Sequence, residues 1–90
     1  MAGDSRVAVI QSDMDTEDQN EAIRYAVYAL DKFSSPMEAA GYLKHHFDKL
    51  LYPRWHCVMG RSFGSSFTYE AKTLVNFTFE GIEVLLFRFG

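Results

Sequence analysis

His56 and Cys57 are adjacent residues whose types could perform nucleophilic catalysis. A cysteine becomes a strong nucleophile when a histidine within hydrogen-bonding distance removes its proton. The residues around the pair alternate as in a β-strand, where neighbouring side chains point to opposite faces. The two side chains therefore cannot form a dyad with each other, and no other residue pattern supplies a partner. We expect Cys57 to be a small buried residue and the protein to be no enzyme, with a thiol enzyme as the less favoured alternative.

Acidic residues before the first predicted helix match only the start of a calcium-binding loop. Asp13, Asp15 and Glu17 have the spacing of its first three ligands. The sixth position, which requires glycine, is Asp18, and the twelfth, which requires glutamate, is Arg24. We interpret this segment as the acidic, solvated start of a helix.

Two further patterns also lack part of what their chemistry needs. His45 and His46 are neighbours, whereas a helical metal site places two histidines one turn apart. Gly60 and Gly64 are not followed by the Gly-Lys-Ser/Thr ending and helix of a phosphate-binding loop. The sequence therefore predicts neither a metal nor any other cofactor.

The segment from Ser62 to Tyr69 carries the strongest functional signal. Its side chains alternate between two sets, Phe63, Ser65, Phe67 and Tyr69 on one face and Ser62, Gly64, Ser66 and Thr68 on the other. The segment is too polar for the middle of a sheet, so we expect an edge strand whose backbone can pair with another chain. Gly64 would let that backbone approach closely. This pattern predicts binding of extended polypeptide.

Size and composition favour an association between subunits. A chain of 90 residues makes one domain with a marginal core, and one cysteine cannot form an internal disulfide. The aromatic content of 16% is high, and a small monomer cannot easily bury that many bulky side chains. We expect a flexible N-terminus over residues 1–5 and a single domain over 6–90.

Charge and hydropathy exclude other partner classes. A net charge of −3 without a basic run argues against nucleic acid. No apolar stretch approaches the roughly 20 residues that span a bilayer, and no secretory signal is recognisable. We therefore expect a cytoplasmic protein with no membrane partner.

The predicted elements give an α+β fold, with two helices packed on one face of an antiparallel β-sheet of about five strands. Arg6 to Gln11 predicts the first strand. Helix one is predicted from a capping box of Thr16 and Gln19 to about Phe33, and helix two from the Ser35 N-cap and Pro36 to Pro53. The helical spacing predicts the buried residues Ile23, Ala26, Val27, Leu30 and Phe33, then Ala40, Leu43, Phe47, Leu50 and Leu51. Four strands follow, over residues 56–59, 62–69, 73–79 and 82–89, and the last looks central.

A set of short stretches along the chain is specific in combination: Phe47-Asp48-Lys49, Pro53, Trp55-His56-Cys57, Gly60-Arg61, Phe63-Gly64-Ser65, Thr68, Glu70, Lys72 and Leu85-Leu86-Phe87. With these stretches, the sequence resembles the eight-kilodalton cytoplasmic dynein light chains from Arg6 to Gly90. The resemblance implies a homodimer in which the 62–69 strand is exchanged between subunits. It also implies two grooves in which extended clients add as strands, among them the dynein intermediate chain and other linear-motif proteins. The function it implies is a non-catalytic, cytoskeleton-associated hub that promotes client dimerisation.

The resemblance also assigns residues to the site. The peptide-binding positions fall on Ile10, Gln11, Pro36, Met37, Phe63, Gly64, Ser65, Ser66, Phe67, Thr68, Tyr69, Asn76 and Thr78. The dimer interface falls on Lys44, His56, Ser66 and Thr68, and protonation of the interface histidine is expected to split the dimer at mildly acid pH.

Several groove positions differ from the family pattern. Pro36 and Met37 replace a Glu-Lys pair at the start of helix two, where a client glutamine caps the helix. Other departures are Ile10, Ser66, Tyr69, Asn76, Thr78 and, in place of a phosphorylatable serine, Phe89. These changes predict a diverged member with altered client preference. The alternative is a dedicated structural subunit of one dynein or axonemal complex with a single fixed partner.

Overall fold

The computed structural model describes residues 6–61 and 73–89. Its elements are β1 (Val7–Ser12), α1 (Thr16–Lys32), α2 (Pro36–Leu50), β2 (Trp55–Gly60), β3 (Val75–Phe79) and β4 (Ile82–Arg88). The strands form an antiparallel sheet in the order β1-β3-β4-β2. This confirms the α+β class and the central place of the last strand, while the predicted fifth strand at 62–69 lies outside the described residues.

A tight hairpin joins the two central strands. Phe79 pairs with Ile82, and the two residues between them, Glu80 and Gly81, have φ values of 51° and 83°. Positive φ at both positions matches the right-handed twist of the flanking strands. The hairpin fixes the register of β3 on β4.

The core lies between the helices and one face of the sheet. Alternate residues of β3, namely Val75, Phe77 and Phe79, are buried there. Phe47 of α2 packs edge-on against Trp55 of β2, with ring centroids 4.9 Å apart. This contact sets α2 over the β2 edge of the sheet.

The start of α1 differs from the prediction. Thr16 is the first helical residue and not the cap, because the carbonyl of Asp15 accepts the first helical hydrogen bond, from the Gln19 N–H at 2.9 Å. Asp13 fixes this start, since its carboxylate accepts the N–H of Leu74 at 2.9 Å and its own N–H donates to the Leu74 carbonyl at 3.0 Å.

The buried faces of the helices are partly as predicted. The buried residues of α1 and α2 are Ala22, Ile23, Ala26, Ala29, Ala39, Ala40, Leu43 and Phe47. Val27, Leu30 and Phe33, which were predicted to be buried, are only partly so. Leu50 was expected in the core and is 47% exposed, whereas Leu51, the C-cap residue, packs partly buried against the core as predicted. Within the described residues, neither helix has the length and hydropathy needed to cross a membrane.

Candidate functional site

The β2 strand forms one edge of the sheet. Among the described strands it pairs only with β4, from Trp55 opposite Arg88 to Gly60 opposite Glu83. No strand within residues 6–61 and 73–89 pairs with its other side, and a strand edge of this kind is where a further strand can be added.

A shallow apolar groove lies beside this edge, between α2 and β2. Its cavity volume is about 290 Å³, and its lining residues are Met37, Ala40, Gly41, Lys44, Cys57, Val58 and Met59. Met37 is 84% exposed and Val58 is 46% exposed, which is unusual for apolar side chains of this size. Exposed apolar residues next to an open strand edge are typical of a site for extended peptide.

The charge of Lys44 is neutralised within the chain. Its Nζ lies 2.6 Å from Oδ2 of Asp48, and Oδ1 of Asp48 accepts the backbone N–H of Trp55 at 2.8 Å. Partial burial alone would raise the pKa of the Asp48 carboxyl, but the hydrogen bonds from Lys44 and Trp55 outweigh it and hold that pKa below its usual range. The ionised carboxylate thus connects α2 to β2 through a hydrogen bond. It also neutralises the lysine charge at the groove.

The first turn of α2 is partly capped from within the chain. The Ser35 Oγ accepts the Glu38 N–H at 3.2 Å, which confirms the predicted N-cap. Pro36 follows it at the first helical position and has no N–H to donate.

Cys57 lines the groove with its thiol shielded from water, although part of the residue remains accessible. Burial raises the pKa of the Cys57 thiol to about 12. The thiol is therefore protonated at neutral pH and a poor nucleophile. This agrees with the predicted packing role.

His56 lies on the sheet face away from the helices. Its Nε2 is 3.0 Å from the Phe89 carbonyl oxygen, and its ring stacks on Phe87 with centroids 5.3 Å apart. Lys44 lies on the helix side, so these two predicted interface residues have different partners within one chain. Their companions Ser66 and Thr68 lie outside the described residues, and the dimer interface stays a prediction.

The predicted peptide-binding residues of β1 and β3 lie near the opposite edge of the sheet. Ile10 is the extra residue of a β-bulge in β1 and is 57% exposed, and Gln11 pairs with Asn76 of β3. Thr78 lies two residues further along the same face of β3 as Asn76. The side-chain oxygen of Asn76 is buried and has no hydrogen-bond partner among the described residues.

One chain therefore does not assemble the whole predicted site. Pro36 and Met37 lie at the β2 edge, while the β1 and β3 residues lie at the other. The remaining predicted positions, Phe63, Gly64, Ser65, Ser66, Phe67, Thr68 and Tyr69, fall outside the described residues. Sequence reasoning missed Ala40, Gly41, Cys57, Val58 and Met59 as groove residues. Strand alternation places the side chains of Cys57 and Met59 on the helix side of β2 and that of Val58 on the other face.

Two of the residues weighed as metal ligands, Asp13 and His46, make structural contacts. The Asp13 carboxylate holds Leu74, and His46 stacks on Tyr25 at 3.7 Å with Glu21 3.2 Å from its Nε2. In residues 6–61 and 73–89, no group of three or more histidine, cysteine or acidic side chains is placed to hold a metal ion.

The fold is that of a dynein light chain-like domain. The dynein light chain-like domain of the Fasciola hepatica calcium binding protein FhCaBP2 matches in a mercury derivative with a TM-score of 0.82 and 21% identity, over 97% of this chain and 95% of that chain. Its native form matches with a TM-score of 0.81 and 21% identity, over 100% and 97% of the two chains. The DLC-like domain of CsTAL3 (residues 83–177) matches with a TM-score of 0.79 and 19% identity, over 94% of each chain.

The sequence confirms what the fold indicates. The family model described as dynein light chain type 1 matches residues 6–89, and the chain belongs to this family. Members of the family are non-catalytic light-chain adaptors that generally dimerise and bind client peptides. The chain is therefore an adaptor of the light-chain class and not an enzyme.

Proposed function

We propose that this chain acts as a homodimeric adaptor that binds extended segments of client proteins by β-strand addition. The observation that carries the proposal is that β2, beside the apolar α2–β2 groove, has a strand partner on one side only among the described residues, so that a further strand could extend the sheet there. Backbone hydrogen bonds of an added strand would supply affinity, and the groove would supply selectivity. Clients would include the dynein intermediate chain, and the protein would work in the cytoplasm in association with the cytoskeleton.

The dimer is supported by the division of the predicted site between two sheet edges. In the proposed assembly, residues 62–69 of each subunit pair with β2 of the other, and the client adds outside this exchanged strand. The α2 residues of one copy would then face residues contributed by its partner.

Each site would bind a client with roughly micromolar affinity. About five backbone hydrogen bonds of ~1 kcal/mol each, together with apolar burial in the groove, give this order of magnitude. A client with two linked segments would gain about 10² or more in affinity, because the second binding step becomes intramolecular. This gain would let the adaptor hold two client chains together. The functional domain would comprise residues 6–90.

Affinity capture with competition distinguishes the adaptor from a dedicated structural subunit. Clients captured on the immobilised chain are identified, and a peptide from one of them is added in excess. Several unrelated clients, all released by the same peptide, are the expected result for the adaptor. Capture of one complex alone would favour the structural subunit, and clients that no client-derived peptide releases would overturn binding through a shared groove.

A further inference from the structure

The start of β3 is anchored on the side of β1 by Asp13. Leu74, the residue directly before β3, is 0% exposed, so its backbone has no access to water. Asp13 follows β1 directly; its carboxylate accepts the Leu74 N–H at 2.9 Å, and its own N–H donates to the Leu74 carbonyl at 3.0 Å. Because a buried backbone group without a partner is costly, these two hydrogen bonds fix Leu74 beside the end of β1.

Thr73 forms a second anchor on the opposite side. Its hydroxyl accepts the N–H of Arg88, the last residue of β4, at 3.3 Å and donates to the Arg88 carbonyl at 3.4 Å. In the sheet, β3 lies between β1 and β4. The residues at the start of β3 therefore cannot shift without breaking hydrogen bonds to the ends of both neighbouring strands.

Both anchors lie where the chain enters β3 after residues 62–72, which are outside the described residues. In the proposed dimer, residues 62–69 join the sheet of the other copy. Such a segment would be attached to its own subunit at two points, after β2, which ends at Gly60, and before β3 at Thr73. An attachment point that is held from two sides restricts the direction of the chain before it. Less conformational entropy is then lost when the segment pairs with the second copy.

We propose that Asp13 and Thr73 are positioning residues for strand exchange, a role that rests on the proposed function. The two side chains hold the attachment point before β3, so that each subunit presents its exchanged segment in a preferred direction. Neither residue needs to touch the other subunit for this effect. Loss of either anchor gives the start of β3 more freedom, which dimerisation must then remove, and the dimer becomes weaker.

Dissociation constants of the dimer, from fluorescence-detected sedimentation of the full chain and its variants, test the proposal. Asp13→Ala removes the acceptor for the Leu74 N–H, and we expect the dissociation constant to rise about tenfold. Asp13→Asn keeps a side-chain oxygen as acceptor and should recover most of the affinity. Thr73→Val loses the hydroxyl at nearly constant size and should weaken the dimer about threefold, whereas Thr73→Ser should restore it.

Ser35→Ala is the matched control, because the Ser35 hydroxyl also accepts a backbone N–H, that of Glu38, at 3.2 Å, but at the start of α2. Its dissociation constant should stay within about twofold of the wild type, although it also loses a helix cap. Unchanged dimerisation in Asp13→Ala and Thr73→Val would overturn the positioning role and leave the proposed dimer intact. An equal loss in Ser35→Ala would do the same, because the effect would then reflect stability alone.

Two further outcomes are decisive. If Asp13→Ala does not fold, the comparison of Thr73→Val with Thr73→Ser decides, and equal dissociation constants for these two variants would contradict the role of the hydroxyl. A wild type that is monomeric at every concentration would refute the proposed function, and the positioning role with it.

Discussion

The carboxylate of Asp48, near the end of α2, accepts the backbone N–H of Trp55, the first residue of β2, at 2.8 Å. The same carboxylate pairs with Lys44 one helical turn earlier. One side chain therefore sets the position of the helix on the strand and neutralises the lysine of the groove. The shape and the charge of the candidate site both depend on Asp48.

Replacement of this carboxylate should destabilise the fold. Asp48→Asn loses the charge that holds Lys44 and weakens the acceptor for the Trp55 N–H, so we expect a loss of about 1–2 kcal/mol in the free energy of unfolding. Urea unfolding measures it, and Asp31→Asn, at an exposed position of α1, is the control and should change little.

The Asp48 effect should also depend on pH. Because the folded-state pKa is lowered, the stabilisation is complete above the ordinary value of 3.8 and disappears as pH falls from there through the lower folded-state pKa. The difference between wild type and Asp48→Asn should shrink over that acid range. A difference that stays constant down to pH 2 would show that the carboxylate charge is not responsible.

The proposed dimer should be lost when a permanent charge is placed at His56. His56→Lys puts an ammonium group at the predicted interface between two copies, where desolvation of a charge is costly. Sedimentation at neutral pH should show a dimeric wild type and a monomeric variant. Mildly acid pH should dissociate the wild type in the same way. Leu50→Lys, which adds the same charge on an exposed helix end, should remain dimeric, and a dimeric His56→Lys would refute this interface.

Cys57 should react slowly with thiol reagents in the folded protein. At pH 8, a thiol with a pKa of about 12 is ionised in roughly one molecule in 10⁴, and burial further limits access. Colour development with an aromatic disulfide reagent should be much slower in native buffer than in urea. Equal rates in the two conditions would mean that the thiol is accessible and would remove the physical argument for a packing role.

Local patterns were sufficient to predict both helices, the positions of all four described strands to within two residues, and the Ser35 cap. Predictions from local patterns were wrong where contacts between distant residues determine the structure. Thr16 lost the capping position because Asp13 is held by Leu74, which is 61 residues away in sequence. The hydrogen bond from the Trp55 N–H to the Asp48 carboxylate was missed for the same reason, since a hydrogen bond between two elements leaves no periodic pattern in the sequence. Residues of the groove were missed because their shared surface exists only once α2 is packed on β2.

The resemblance to a known family assigned functions that the described part of a single chain tests only in part. Met37 and Lys44 do line one groove, whereas Gln11 and Asn76 pair near the far sheet edge. A sequence assigns positions to a site without stating which copy of the chain contributes each one. The proposed dimer would bring these two groups together, so the oligomeric state decides whether a complete site forms.

Strand addition is tested most directly by methylating the backbone nitrogens of a selected peptide one at a time and measuring the affinity of each version. An added strand hydrogen-bonds to its neighbour through alternate residues, so we predict that methylation weakens binding strongly at every second position and much less between them. Losses that show no such alternation, or unchanged affinity at every position, would contradict binding by β-strand addition.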